Sequence, residues 1–139
     1  MTAPGDVLLV EDADVHVAFC ELAFAQEGMP DVLRVARDGE SALRELDEDP
    51  ESPPRLILLD LGLPRMSGFE VLEQIRSHPD PRVRRTPVVV LTTSRAPGDV
   101  KPAYELCANS FVSKPVELTD FVELIGELRQ WWLKRVELP

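Results

Sequence analysis

The chain has 139 residues, of which 44% are hydrophobic and 29% are charged, and its formal net charge is −10, as in a single globular domain with one core. This excess of acidic residues argues against nucleic-acid binding, which needs clustered Lys and Arg side chains to contact phosphates. No apolar run is long enough to span a membrane and no signal pattern opens the chain, so we expect a cytoplasmic protein with no membrane partner.

Five short apolar runs, taken in chain order, predict five β-strands. They are Val7–Val10, Val32–Ala36, Leu56–Asp60, Val88–Thr92 and Ser110–Ser113. A segment with apolar residues at helical spacing follows each run. The first of these helices has Asp14 as its candidate N-cap and ends near Gly28, the fourth covers Asp99–Cys107, and the last begins near Glu117.

Strands that alternate with helices through short loops are typical of α/β proteins. Because crossovers between parallel strands are right-handed, the helices cover both faces of the sheet. The sequence therefore predicts a doubly wound, five-stranded parallel sheet with helices on both faces.

The cysteines and the one basic cluster have less informative interpretations. Cys20 and Cys107 both lie among apolar residues, so we interpret them as two buried thiols and not as a redox pair. Arg82, Arg84 and Arg85 follow a proline-bounded segment, and they are interpreted as a solvated loop.

Polar side chains stand directly after four of the predicted strands. Glu11 and Asp12 follow the first strand, Asp60 closes the third, Thr92 closes the fourth and Lys114 follows the fifth. In an open parallel sheet the carboxyl ends of the strands share one edge, and ligands bind outside that edge. Three carboxylates brought together need a cation, and their oxygens suit Mg²⁺ beside a phosphoryl group. Taken singly, each acid also fits a helix cap.

Five motifs resemble the receiver domain of bacterial two-component response regulators, and they fall in the order and spacing of that family. They are Val10-Glu11-Asp12, Leu58-Leu59-Asp60, Leu63-Pro64…Gly68, Leu91-Thr92-Thr93 and Ser113-Lys114-Pro115. The resemblance covers about Val7 to Leu128. It implies a flavodoxin-like sheet with the strand order 2-1-3-4-5.

The resemblance also implies a phosphoacceptor and a metal site. Asp60 takes the place of the carboxylate nucleophile that receives a phosphoryl group from a histidine kinase. Asp12 and Asp60 take the places of the direct Mg²⁺ ligands, Glu11 binds the ion through water, and the backbone carbonyl of Gly62 supplies another ligand.

Three further residues match the positions that bind the phosphoryl group and respond to it. Lys114 is expected to pair with phosphoryl oxygens, and Thr92 to hydrogen-bond one of them. Phe111 stands at the position of the switch aromatic, although it fits a plain core aromatic equally well. The same resemblance implies a cis peptide bond between Lys114 and Pro115, which makes a sharp turn at low cost.

The predicted domain boundary places the receiver at 1–130 and a helical extension at 131–139, which leaves no room for an output domain. We therefore expect the protein to act through partners. Together with the extension, the segment Asn109-Ser110-Phe111 and the loop His78–Pro81 resemble those of stand-alone receivers that are paired with phytochrome-type histidine kinases.

The extension is rich in apolar side chains. Trp131, Trp132, Leu133 and Val136 exceed what one helix face needs to cover a sheet, and an exposed apolar patch marks an interaction surface. A contact between two identical helices would bury these residues, so we expect a homodimer through the last helix and the extension. The alternative is that the extension folds back over its own domain in a monomer.

Three alternative functions fit part of this pattern. A haloacid-dehalogenase phosphatase needs a second Asp two residues after the nucleophile, where Gly62 stands. A flavodoxin-like FMN protein needs a Ser/Thr/Gly-rich phosphate loop after the first strand, and Glu11 and Asp12 would repel the phosphate there. A degenerate receiver that serves only for binding or dimerisation stays open, but the presence of all the site residues argues against it. The sequence thus predicts a response regulator and not an enzyme.

Overall fold

In residues 6–93 and 97–139, which the computed structural model describes, five strands form one parallel sheet. They are β1 Val7–Val10, β2 Leu33–Ala36, β3 Leu56–Leu59, β4 Val88–Thr92 and β5 Ser110–Ser113. Their order is β2-β1-β3-β4-β5, and every neighbouring pair is parallel. The predicted fold class and strand order are confirmed.

Helices alternate with these strands along the described chain. They are α1 Asp14–Gln26, α2 Gly39–Glu48, α3 Gly68–Arg76, the one-turn α4 Pro81–Arg84, α5 Pro97–Glu105 and α6 Leu118–Arg129. A 3₁₀ turn at Pro30–Val32 precedes β2, and a π-helix at Gln130–Arg135 continues α6. The predicted fourth helix therefore exists but begins and ends two residues earlier than expected.

The sheet separates two apolar cores, because successive strand residues point to opposite faces. One core joins Leu8, Ile57 and Val90 to α2, α3 and α5, and the other joins Leu9 and Leu58 to α1 and α6. All residues of β1, β3 and β4 are buried. This two-sided burial explains why these strands are continuous apolar runs without polar alternation.

Side-chain caps begin some of the helices. The Asp38 carboxylate accepts a hydrogen bond from Ser41 N at 2.7 Å at the start of α2, and Ser67 Oγ caps α3 in the same way. The expected cap at Asp14 is wrong. Asp14 is already the first residue of α1, and its carboxylate forms an ion pair with Arg37.

Two further expectations are corrected. Cys20 is buried, and burial raises the pKa of its thiol to about 12, but Cys107 is exposed because the chain leaves α5 there with a left-handed φ of +67°. The described residues contain no cis peptide bond, so the bond between Lys114 and Pro115 is trans.

The basic cluster is a capped helical turn and not only a loop. Arg82 and Arg84 belong to α4, and the Asp80 carboxylate caps this turn by accepting a hydrogen bond from Arg82 N at 2.9 Å. The arginine side chains are exposed, as expected.

The C-terminal extension folds partly onto its own domain. Leu133 is 3% exposed and belongs to the core beneath α1 and α6, while Trp132 is half-buried against it. Trp131 stays 59% exposed. Beyond the π-helix, Leu138 and Pro139 reach the amino-terminal end of β3 and β4 and line a cavity there. The expectation that Leu133 is among the apolar side chains that exceed what the helix needs to cover the sheet is therefore wrong.

No helix among the residues that the structure describes has the length and apolar character needed to cross a lipid bilayer.

Candidate functional site

The predicted site residues meet at the carboxyl edge of the sheet. An open cleft of about 500 Å³ lies there. Six of the predicted residues line it: Glu11, Asp12, Asp60, Gly62, Thr92 and Lys114. Phe111 does not line the cleft, since its side chain is half-buried against the core below α5. The structure thus brings together residues that are separated by more than a hundred positions.

Backbone hydrogen bonds extend the sheet one residue past the strand ends and hold the site in place. Glu11 N donates to Ala36 O at 3.0 Å, Asp60 N donates to Val10 O at 3.0 Å, and Lys114 N donates to Thr92 O at 2.8 Å. The three functional side chains therefore start from rigid backbone, which is what a preorganised site requires.

The acidic residues form one cluster. One carboxylate oxygen from each of Glu11, Asp12 and Asp60 lies within 4.8 Å of the others. Glu11 and Asp60 are buried, whereas Asp12 is exposed at the mouth of the cleft. Like charges at such distances repel one another, and hard oxygen ligands of this kind suit a divalent cation such as Mg²⁺. The donor set therefore fits a divalent metal.

A buried ammonium balances part of this charge. Lys114 is 4% exposed, and its Nζ forms an ion pair with Glu11 Oε2 and lies 3.6 Å from Asp60 Oδ1. Burial raises the pKa of the Glu11 carboxyl above its usual range, and the hydrogen bond from Lys114 opposes this effect. The ammonium therefore contacts two carboxylates, both of which belong to residues that line the cleft.

One polar residue that lines the cleft beside Lys114 is not among the predicted site residues. His16 lines the cleft, and its Nδ1 lies 3.0 Å from Lys114 Nζ. It belongs to the first turn of α1, and helical side chains lean toward the helix N-terminus, which here points at the strand ends. The position of His16 in the first turn of the helix after β1 was the only feature of the sequence that could have indicated its role, because no motif spacing marks a histidine there.

Glycines permit the close packing around Asp60. A Cβ added at Gly68 would lie 2.3 Å from the backbone oxygen of Asp60, and Gly68 N donates to Leu61 O at 3.0 Å. A Cβ at Gly62 would lie 3.8 Å from Asp60 Oδ2. Gly68 therefore lets α3 begin directly against the loop that carries Asp60, and Gly62 leaves this side of the carboxylate open.

Comparison with known proteins gives one family and a consistent group of relatives. Residues 7–126 match the family described as response regulator receiver domain. The response regulator Rcp1 of Synechocystis sp. is 39% identical over 140 residues, which cover 98% of this chain and 94% of Rcp1. The Mn²⁺-bound structure of Rcp1 superposes with a TM-score of 0.83 and covers 96% of this chain and 97% of its own.

Two further solved structures are of the same kind. The phosphorylated cyanobacterial phytochrome response regulator RcpA has a TM-score of 0.87 and 35% identity, with 96% of each chain covered. The bacteriophytochrome response regulator RtBRR has a TM-score of 0.73 and 39% identity, and the match covers 100% of this chain and 85% of that one. The metal-bound and phosphorylated relatives show both kinds of ligand on this fold.

Proposed function

Since the chain belongs to the response regulator receiver-domain family, we propose that it is a single-domain response regulator that accepts a phosphoryl group on Asp60 from a histidine kinase. Receiver domains are signalling modules, and among the relatives are phytochrome response regulators. The observation that carries the proposal is the position of Lys114 Nζ, 3.6 Å from Asp60 Oδ1 inside an acidic cleft. The output then passes through protein contacts, and a phytochrome-type kinase is the proposed donor.

The reaction would be a displacement at phosphorus. An oxygen of Asp60 forms the new bond to phosphorus while the bond to the histidine nitrogen of the kinase breaks and its electron pair stays on that nitrogen. Lys114 lies where it can donate a hydrogen bond to the transferred phosphoryl oxygens. Such transfer depends mainly on positioning and charge neutralisation, and the cleft offers both.

Mg²⁺ is the proposed cofactor of this step. When bound, it would neutralise charge on the cluster and on the phosphoryl group. Asp12 and Asp60 are its proposed direct ligands, Glu11 would bind it through water, and the backbone carbonyl of Gly62 would supply another ligand. The mutual distances within 4.8 Å support this assignment.

Thr92 and Phe111 are the proposed switch. Thr92 is 2% exposed beside the cleft, so its hydroxyl can turn to a phosphoryl oxygen on Asp60, where almost two negative charges are added. Phe111 lies on the edge strand β5, and its backbone N–H donates to the Tyr104 hydroxyl at 3.1 Å. The movement of Thr92 would open space for the Phe111 ring and so alter the α5–β5 surface.

Exposed apolar side chains on α1 and around the start of α6 are the proposed kinase-docking surface. Val116 is 85% exposed two residues after Lys114, and Val15 of α1 is 59% exposed. Leu22 and Leu118 are also exposed. Such side chains on α1 and at the start of α6 suit an amphipathic helix of a partner, which would bring its phosphohistidine to Asp60.

Intact-mass analysis tests the assignment of Asp60. With acetyl phosphate and Mg²⁺, the wild type is expected to gain one phosphoryl group, and Asp60→Asn none. Asp47→Asn serves as the control, since Asp47 is an exposed acid that pairs with His78 away from the cleft. A label that persists in Asp60→Asn contradicts the assignment. A wild type that gains no label favours the degenerate receiver.

A homodimer through α6 and the extension is the second part of the proposal. Trp131 is 59% exposed at the end of α6, and a two-fold contact would bury it against its counterpart. Light scattering on Trp131→Glu tests this contact, with Val116→Glu as a control at another exposed apolar position. A monomeric wild type, or a Trp131→Glu protein that dimerises as tightly, contradicts the proposal. A chain ending at Gln130 should also be monomeric.

A further inference from the structure

The Lys114 ammonium has two hydrogen-bond acceptors in the unphosphorylated cleft. One is the Glu11 carboxylate, and the other is His16 Nδ1 at 3.0 Å. The side chains of Lys114 and Glu11 are almost fully buried, at 2% and 1% exposed, and that of His16 is 26% exposed. The ammonium is therefore held from two sides in a place that water hardly reaches.

The contact defines the state of the histidine ring. An ammonium has three N–H donors and no acceptor, so Nδ1 must accept and the ring hydrogen stands on Nε2. His16 Nδ1 also lies 3.8 Å from Glu11 Oε1. Because both atoms are then hydrogen-bond acceptors, this contact is not an ion pair. His16 acts on Lys114 and not on Glu11.

The ring itself is held by packing. It stacks on Phe121 with a centroid separation of 6.0 Å and an interplanar angle of 16°. Phe121 is fully buried and also makes an edge contact with Phe19. Since α1 and α6 both belong to the core, the position of Nδ1 is set by the fold.

We propose that His16 is a positioning residue of the phosphoryl site, because it and Glu11 take two ammonium N–H groups of Lys114 and leave the third for a phosphoryl oxygen on Asp60. The inference rests on the proposed function. Two acceptors define both the place of the nitrogen and the direction of the remaining N–H group. Such a donor needs no reorganisation when charge develops on the transferred group. With Glu11 alone, the nitrogen is free to shift around one carboxylate.

Two substitutions separate the acceptor from the ring. His16→Asn keeps an acceptor, since its Oδ1 stands at about the position of Nδ1, but it removes the aromatic ring. His16→Leu keeps a branched apolar side chain and removes the acceptor. His78→Leu is the matched control, because His78 is the only other histidine of the chain and pairs with Asp47.

Initial rates of phosphorylation by acetyl phosphate at saturating Mg²⁺ give the first measurement. We expect His16→Leu to react about tenfold more slowly, because the Lys114 ammonium would no longer be held in position for the transferred phosphoryl group. His16→Asn should retain most of the wild-type rate, and His78→Leu all of it. Equal rates in the wild type and His16→Leu overturn the proposal. So does an equal loss in His16→Asn, because the ring and not the acceptor would then matter.

The ¹⁵N-edited NMR signal of the lysine ammonium groups gives a measurement that does not need phosphoryl transfer. The chain has three lysines, and Lys101 and Lys134 are exposed, so only Lys114 should exchange its protons slowly enough to be seen. We expect this signal in the wild type and in His16→Asn, and faster exchange in His16→Leu. An unchanged signal in His16→Leu overturns the inference, even if the rate falls. If the wild type takes no phosphoryl group, the proposed function fails, while the signal still decides the role of His16.

Discussion

Lys114 in the cleft and Leu133 in the C-terminal extension are almost equally buried, at 4% and 3% exposed, but burial has opposite consequences for them. Leu133 brings apolar surface out of water, which stabilises the fold. Lys114 brings a charge out of water, and its attraction to Glu11 has to offset a desolvation cost of several kcal/mol. Burial in the extension therefore stabilises the fold, whereas burial in the cleft costs free energy and positions charged groups for a ligand.

The largest effect is expected when the ion pair is broken on one side. Lys114→Met leaves Glu11 and Asp60 without their cation, so the free energy of unfolding should fall by about 3 kcal/mol. Urea unfolding without metal measures this change. The double variant Lys114→Met/Glu11→Leu should recover most of the loss, because the buried carboxylate that was paired directly with Lys114 is removed as well and no longer repels Asp60. A double variant that is as unstable as Lys114→Met would show that the pair is a net source of stability.

A slightly smaller effect is expected from the extension. Leu133→Ala removes a buried side chain from the core of α1 and α6, and it should lower the free energy of unfolding by about 2–3 kcal/mol. The same urea measurement applies. Phosphorylation of Asp60 should stay unchanged, since Leu133 lies away from the cleft. A variant with unchanged stability would mean that the extension does not dock in solution.

Stabilisation by a metal ion should depend on the cleft and not on the C-terminal extension. Saturating Mg²⁺ should stabilise the wild type by roughly 1–3 kcal/mol through ligand linkage, measured as a rise in the melting temperature. Leu133→Ala should show the same gain, and Asp12→Ala should show none. Without metal, Asp12→Ala should melt no lower than the wild type, because removing one of three clustered charges relieves repulsion. Equal melting points of the wild type with and without Mg²⁺ would favour the degenerate receiver.

The smallest effect is expected at the exposed side of the extension. Trp131→Ala should change the free energy of unfolding of the monomer by less than about 0.5 kcal/mol, as is usual for surface positions. Urea unfolding at low protein concentration measures it beside Leu133→Ala. A loss as large as that of Leu133→Ala would place Trp131 in the core.

The parallel sheet and the convergence of most cleft residues could be predicted because they follow from patterns in the sequence, whereas the strand order was implied by the resemblance to receiver domains. An apolar run followed by Asp60 or Lys114 needs only the topology of a parallel sheet to bring the two side chains to one edge. Their individual roles do not follow from those rules, and the assignment of Asp60, Thr92 and Phe111 stays a prediction until it is measured.

What the sequence did not predict depends on helix phase and on how helices dock. His16 reaches the cleft because of the rotation of α1 about its axis against the sheet, and Cys107 is exposed because the backbone turns left-handed after α5. Leu133 follows Phe121, Ile125 and Arg129 at steps of four residues. An α-helix of 3.6 residues per turn would rotate it away from that face, whereas the wider π turn keeps it buried. Apolar periodicity alone does not reveal a π turn.

The two tryptophans of the chain are neighbours in the extension, and one is mostly in water while the other is half-covered. When the excitation wavelength is chosen so that the single tyrosine does not absorb, all of the fluorescence therefore comes from this segment. The extension therefore has an intrinsic fluorescent probe. A water-soluble quencher should reduce the emission of Trp131 more than that of Trp132. Any partner that covers or releases the segment should change the emission without a label, in real time and in dilute solution.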